Sequence, residues 1–276
     1  MLRTLRAEGV DISAASSDPA AQTALILFEP RLPDVTRVHY YRAGSAGSRM
    51  APDVLDRAFA TTAPPVLHLI GITPVLGRAA STHALRLARE RRTPVCPDVN
   101  HRSRLWTADQ ASVVLRDGIP YVDILISSTD EFSLCLPPGS PADITVQAGQ
   151  LPAARVTEIV VKLGPDGATS YTHPQPHPAN LPTGPRPIAD THPAKRPSRP
   201  HHAIDGSLHQ PAVPVQAVDP VGASDAFVAG YLSALLDGGG VVGSPHVLPP
   251  FSPSRANLWP CLVTNTAAVP AARPSS

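Results

Sequence analysis

The residues best suited to chemistry lie together in Val218-Asp219-Pro220-Val221-Gly222-Ala223-Ser224-Asp225-Ala226-Phe227. Gly222 and its small neighbours let a ligand approach the backbone. Downstream, Phe227, Gly230, Tyr231, Ala234 and Leu235 recur at helical spacing. The turn therefore opens a helix whose first N–H groups have no internal partner and are free to hold an anion. Asp225 falls in the first turn, where the helix dipole favours a carboxylate. A carboxylate base beside a backbone anion site is the equipment for phosphoryl transfer to a hydroxyl. The base takes the proton, and the N–H groups stabilise charge on the moving group. Read alone, the same tetrad is also an ordinary turn before an acidic first helical turn.

Stepping outward, apolar strands alternate with amphipathic helices. Strands are predicted at Ala24–Phe28, Val35–Tyr41, Val66–Ile70, Pro94–Asp98, Ile124–Ile126 and Ile159–Leu163, and the run from Pro211 to Val218 ends as another. Helices are predicted at Leu2–Glu8 (closed by Gly9), Ala51–Thr61, Ala79–Arg91, Asp109–Asp117 and Asp130–Leu136. The first two strands, joined by a Pro-containing turn, read as a hairpin. The alternation with short connections implies an α/β fold with a doubly wound, mostly parallel sheet flanked by helices.

Composition narrows the function classes. The 276 residues suffice for one large domain or two small ones, and 42% hydrophobic content supports a core. A net charge of +1 gives no bulk electrostatic reason for a nucleic-acid or membrane partner. Cys96, Cys135 and Cys261 fit neither a disulfide framework nor a zinc knuckle, which makes a reducing cytoplasm the default. The 34 prolines are unevenly spread. Periodicity stops from about 173 to 210, where six histidines (His173, His177, His192, His201, His202 and His209) lack regular ligand spacing; a solvated, disordered insertion is expected. Residues 239–276 read as an irregular Pro/Ser-rich tail. No internal repeat and no Gly-x-x-x-x-Gly-Lys-Ser/Thr phosphate loop is present.

Other segments could join the site. Tyr40 and Arg42 precede a Gly/Ser-rich turn, where Arg suits a carboxylate and Tyr suits hydroxyls. Asp98-Val99-Asn100-His101-Arg102 follows a strand, at the carboxyl edge where open sheets bind ligands. Val161-Lys162-Leu163-Gly164-Pro165-Asp166-Gly167 is a strand followed by a Gly-rich turn. Each has a plainer reading, as a surface strand, a capping loop or an edge charge.

Taken in order, these runs resemble the ribokinase-like (pfkB-type) carbohydrate kinases, and within them the 2-dehydro-3-deoxygluconate kinases. Tyr40-Tyr41-Arg42-Ala43-Gly44-Ser45-Ala46-Gly47-Ser48 and Asp98-Val99-Asn100-His101-Arg102 are specific to that branch, and Val218–Leu236 resembles the family's C-terminal signature. The resemblance covers roughly 2–172 and 213–238. It implies ATP-dependent phosphorylation of a sugar acid, in a domain over residues 1–238 with a partial β lid. Asp225 matches the catalytic base, and Gly222, Ala223 and Ser224 match the anion hole. Tyr40, Arg42 and Arg102 match substrate-contacting positions. Gly164 and Gly167 match the turn nearest the nucleotide, with Lys162 beside it, and Glu131 matches an acidic position linked to Mg2+. The implied partners are a small sugar acid and ATP, and a homo-oligomer is allowed, since members often pair through lid strands.

The chain departs from the family pattern in several places. Ser224 stands where Gly is usual, and Ser128 where Asn is usual. The chain opens after the family's first strand and its sugar-binding Gly-Gly segment, and beyond Gly238 it diverges, as expected for a truncated or degraded product. Two alternatives stay open: another ribokinase-like sugar kinase, and a non-catalytic sugar- or nucleotide-binding remnant. An interaction protein acting through the Pro/His/Arg-rich segment lacks a repeated Pro-x-x-Pro design.

Overall fold

The computed structural model describes residues 2–32, 35–60, 63–151, 155–173, 206–213 and 222–237. In chain order the elements are α1 (Leu2–Ala7), β1 (Leu25–Leu32), β2 (Val35–Tyr41), α2 (Pro52–Ala58), β3 (Leu67–Ile70), α3 (Thr73–Leu76) and α4 (Arg78–Arg91). There follow β4 (Val95–Asp98), α5 (Ala108–Gly118), β5 (Ile124–Ser128), α6 (Ile144–Gln150), β6 (Glu158–Lys162), β7 (Ala168–Thr172), β8 (Gly206–Gln210) and α7 (Ala223–Asp237).

Strands β3 to β8 form one sheet in sequence order. The pairings from β3 through β6 are parallel, and β6–β7–β8 is antiparallel. The sheet is thus mixed but parallel in three of its five pairings, in keeping with the mostly parallel sheet expected. The switch has a local cause: only a short turn over Gly164–Asp166 joins β6 to β7, and a turn that short cannot make a parallel crossover.

Strand alternation divides the core into two layers. Ile124, Ile126, Val160 and Ala168 face α7, which buries Phe227, Val228, Tyr231, Ala234 and Leu235 against them. Leu125, Ile159, Val161 and Tyr171 face the other way and pack with Ile119, Phe132, Leu136 and Ala148 from α5, α6 and their connections. A one-residue slip of β5 or β6 would exchange the two sets, so these layers hold the register. Each large side chain taken fully out of water contributes about 1.5–3 kcal/mol.

Helix α5 starts with a capping box, in which Thr107 and Gln110 satisfy each other's backbone N–H. Helix α6 was not expected; Asp143 caps it by accepting from the Val146 N–H. The predicted helix at Asp130–Leu136 is only a 3-10 turn over Phe132–Cys135.

Strands β1 and β2 form the expected hairpin, in register Leu25↔Tyr41 through Phe28↔Val38. It stands apart from the sheet, with Leu25, Ile26, Leu27, Phe28 and Tyr41 exposed. Arg104 ties it to the segment after β4 by donating to the Val38 carbonyl at 2.6 Å.

The expected disordered insertion is ordered at both of its margins. His173 is buried, and Gly206–Gln210 pairs along the whole of β7, with His209 Nδ1 3.0 Å from Thr169 Oγ1. Gly206–Gln210 is a strand that the sequence did not predict; of the predicted run from Pro211 to Val218, residues 211–213 are not in a strand and 214–218 lie outside the described residues. Residues 174–205, 214–221 and the predicted tail at 239–276 lie outside the described residues. Among the described residues, no helix is long and apolar enough to cross a membrane.

Candidate active site

The carboxyl ends of β4, β5 and β6 lie along one edge of the sheet, because the three strands run parallel. Asp98 ends β4, Ser128 ends β5 and Lys162 ends β6. The N-terminus of α7 meets them there. Lys162 Nζ donates to both Asp98 oxygens at 2.7 Å and to Ser224 Oγ at 2.5 Å. Ser224 Oγ in turn donates to Asp98 Oδ2 at 3.0 Å. The Asp98 side chain is 0% exposed and that of Lys162 14%. A buried ion pair of this kind is sustained only by close geometry and filled hydrogen bonds, and both are present.

Gly222, Ala223 and Ser224 lie at the N-terminal end of α7, the helix start that the sequence predicts. Gly222 has φ +81°, a left-handed conformation that suits glycine, and its carbonyl accepts the first helical bond from the Ala226 N–H at 2.8 Å. The N–H groups of Ala223, Ser224 and Asp225 thus precede the helical ladder. Asp225 is exposed in the first turn of a 15-residue helix.

Glu131 approaches this edge from the turn after β5. Burial pushes its carboxyl above the ordinary value, the Lys162 ammonium and the His101 backbone N–H pull it back, and the Asp98 charge adds to the rise. Its Oε2 is buried and has no hydrogen-bond partner among the described residues. An orphaned carboxylate oxygen suits an ion-bound water. No group of three or more His, Cys, Asp or Glu side chains capable of holding a metal occurs among the described residues. Such an edge fits Mg2+ only in its usual mode, with one or two carboxylates, waters and substrate phosphates.

The turn after β6 has a structural role of its own. Gly167 has φ +101°, and a Cβ there would overlap the Gln210 carbonyl and lie 2.7 Å from the Ala212 N. It is thus where β8 leaves the sheet against β7. At Gly164 (φ +60°) a Cβ would meet nothing within 4 Å among the described residues.

Tyr40, Arg42 and Arg102, the expected substrate-contacting residues, make other contacts. Arg42 lies over the Tyr40 ring at 4.5 Å, a cation–π contact that holds both at the end of the hairpin. Arg102 is exposed, and its carbonyl accepts from the Leu105 N–H at 2.8 Å. No hydrogen bond or ion pair among the described residues joins Tyr40, Arg42 or Arg102 to Asp98, Lys162, Ser224 or Asp225. Sequence reasoning assigned no role to Asp98 or Arg104, although Asp98 opens a run that it singled out. Asp98 had one available signal, a lone carboxylate closing a buried strand; Arg104 had none, because its partner is a backbone carbonyl 66 residues away.

The architecture is that of ribokinase-like sugar kinases. A PfkB protein from Polaromonas sp. JS666 superposes with a TM-score of 0.67 at 24% identity, covering 98% of this chain and 75% of that one. A ribokinase-type protein of E. coli in complex with ATP and Mg2+ gives 0.69 at 18% identity, covering 96% and 71%. The chain belongs to the pfkB family of carbohydrate kinases, whose model matches residues 1–191 and 199–244. Among curated relatives, a 2-dehydro-3-deoxygluconokinase of Thermoproteus tenax is 32% identical over 238 residues, 84% of this chain and 61% of that protein. A 2-dehydro-3-deoxygalactonokinase of Haloferax volcanii is 28% identical, over 85% of this chain and 64% of that one. The chain therefore spans less than two thirds of the length of these relatives.

Proposed function

We propose that the chain is an ATP-dependent kinase for a sugar acid, with 2-dehydro-3-deoxygluconate as substrate and its 6-phosphate as product. The observation that carries this reading is the first turn of α7. An exposed Asp225 carboxylate sits there beside N–H groups that precede the helical ladder, at the carboxyl edge of the sheet.

In this reading Asp225 accepts the proton of the sugar hydroxyl as its oxygen attacks the γ-phosphorus of ATP. The bond to the ADP oxygen breaks, and the N–H groups of Ala223, Ser224 and Asp225 stabilise the transferred group. Mg2+, when bound with the nucleotide, neutralises phosphate charge, and Glu131 would face it through water. Arg42 and Arg102 supply fixed positive charge for the sugar carboxylate, and Tyr40 a hydroxyl partner. Gly164 and Gly167 shape the turn nearest the nucleotide. The names of the two relatives, both 2-dehydro-3-deoxy sugar-acid kinases, support the choice of an acid. Buried free thiols at Cys96 and Cys135 support a reducing cytoplasm.

The test is ADP release from purified chain with ATP, Mg2+ and 2-dehydro-3-deoxygluconate, beside Asp225→Asn. Turnover that disappears in Asp225→Asn supports the reading. Turnover that persists there removes Asp225 as the base, and nucleotide binding without turnover in the parent chain would favour a non-catalytic remnant. If Arg42→Ala leaves sugar-acid affinity intact, the carboxylate role of Arg42 fails.

A further inference from the structure

We propose that Asp98, Lys162 and Ser224 form a clamp on the first turn of α7, with Ser224 as a positioning residue for Asp225 and Lys162 as part of the clamp rather than a nucleotide ligand.

The donor count carries this inference. An ammonium has three N–H groups and accepts nothing. Those of Lys162 are taken by Asp98 Oδ1, Asp98 Oδ2 and Ser224 Oγ. None remains for a phosphate. The Asp98 carboxylate, buried against the ammonium, also offsets its charge, so the pair offers little net attraction to an anion. The Ser224 hydroxyl is filled as well, accepting from Lys162 and donating its proton to Asp98. The ring closes only because residue 224 carries a hydroxyl, and glycine there would leave the third Lys162 N–H without this acceptor.

The ring has a mechanical consequence. Asp98 and Lys162 end two strands whose pairing through β5 is fixed by the core, so their side-chain positions are set by the sheet. Ser224 is the second residue of α7, next to Asp225. Helix ends fray unless their terminal groups are tied down. Two charge-assisted bonds to Ser224 therefore hold Asp225 and the neighbouring N–H groups at a fixed place relative to the sheet edge. The serine is thus the third member of a built contact.

The experiment uses the full chain with Ser224→Ala, Ser224→Gly and Ser224→Thr. Amide hydrogen exchange is read at Ala226, Phe227 and Val228, with β5 as internal reference. Loss of the clamp is expected to speed exchange at these amides by at least about tenfold in the Ala and Gly variants, since tenfold is the least that one of the two lost charge-assisted bonds would give. The β5 amides stay unchanged, and Ser224→Thr, which keeps the hydroxyl, stays within about threefold of the parent. Unchanged exchange in Ser224→Ala overturns the clamp.

The kinetic consequence rests on the kinase reading. There, Ser224→Ala and Ser224→Gly lower kcat with the KM for ATP unchanged, and Ser224→Thr restores it. A higher kcat in Ser224→Gly would mean that the hydroxyl is a burden, and a raised KM for ATP in Ser224→Ala would return Lys162 to the nucleotide; either overturns the assignment. A parent chain without turnover defeats the kinase reading alone, because the exchange data still decide the clamp.

Discussion

Replacing Lys162 with methionine should be among the most damaging single changes at the sheet edge. Methionine keeps much of the length and apolar stem, so the loss is chiefly that of the charge. At 2.7 Å, and with an effective dielectric of about 20, the attraction between Lys162 and Asp98 is roughly 6 kcal/mol before desolvation is charged against it. Removing one member leaves the Asp98 carboxylate, with no exposed surface, without its counter-charge. Such a break costs about 3–5 kcal/mol. For a domain of this size each kcal/mol moves the midpoint by about 2–4 °C, so a fall of roughly 6–20 °C is expected in thermal unfolding followed by circular dichroism. The control is Asp98→Asn combined with Lys162→Met, in which no buried charge is stranded. It should recover more than half of the loss, and the single and double variants together give the coupling energy. The reasoning is refuted if Lys162→Met lies within about 1 kcal/mol of the parent, or if the double variant is no more stable than Lys162→Met.

Gly167→Ala combines a left-handed φ with overlap onto the Gln210 carbonyl, and should cost at least about 2 kcal/mol by chemical denaturation. The Asp123 carboxyl is pushed above its ordinary 3.8 chiefly by burial, with the Arg155 charge and the Val95 N–H opposing. The folded state thus holds this proton more tightly than the unfolded chain does. Its contribution is fully present below pH of about 3.8 and is lost as pH rises through the folded value; Asp123→Asn should flatten that part of the stability profile. Burial drives the Cys135 thiol up to about 12 and Cys96 well above 9.0, so neither should react with a thiol reagent near pH 8 until the chain unfolds, as peptide-resolved labelling would show. Arg104→Ala removes the tie to the Val38 carbonyl and should speed proteolysis of the β1–β2 hairpin several-fold, with little change in the midpoint of the main sheet.

Most of the scaffold was legible because its signals are local. The face of α7 follows from the spacing of Phe227, Tyr231, Ala234 and Leu235, which repeats the helical period. The buried strands β5 and β6 show as short runs rich in Ile and Val, and the anion turn shows as Gly222 ahead of that helix. Four elements escaped, α3, α6, β7 and β8, and for α6 and β8 the reasons can be named. Helix α6 is built from Ile144-Thr145-Val146-Gln147, whose β-branched residues have weak helix propensity, and its existence depends on the Asp143 cap and burial of Ala148. Strand β8 has one apolar residue, Leu208, between exposed Ser207 and His209, and is held in place by pairing with β7.

The candidate site divides along the same line. Residue type and local spacing assigned Gly222, Ser224 and Asp225 to one turn, since a helix N-terminus needs only neighbours in the chain. The contact of that turn with Lys162 and Asp98 spans 62 and 126 residues, and no sequence pattern specifies it. It exists because the parallel register of β4, β5 and β6 brings three strand ends to one edge, and because α7 packs on Cys96, Ile126 and Val160 so that its first turn meets them. The sequence alone therefore determined which groups could do the chemistry. The tertiary structure decided what the Lys162 charge is spent on, because a buried ammonium takes the acceptors that the register places within its reach.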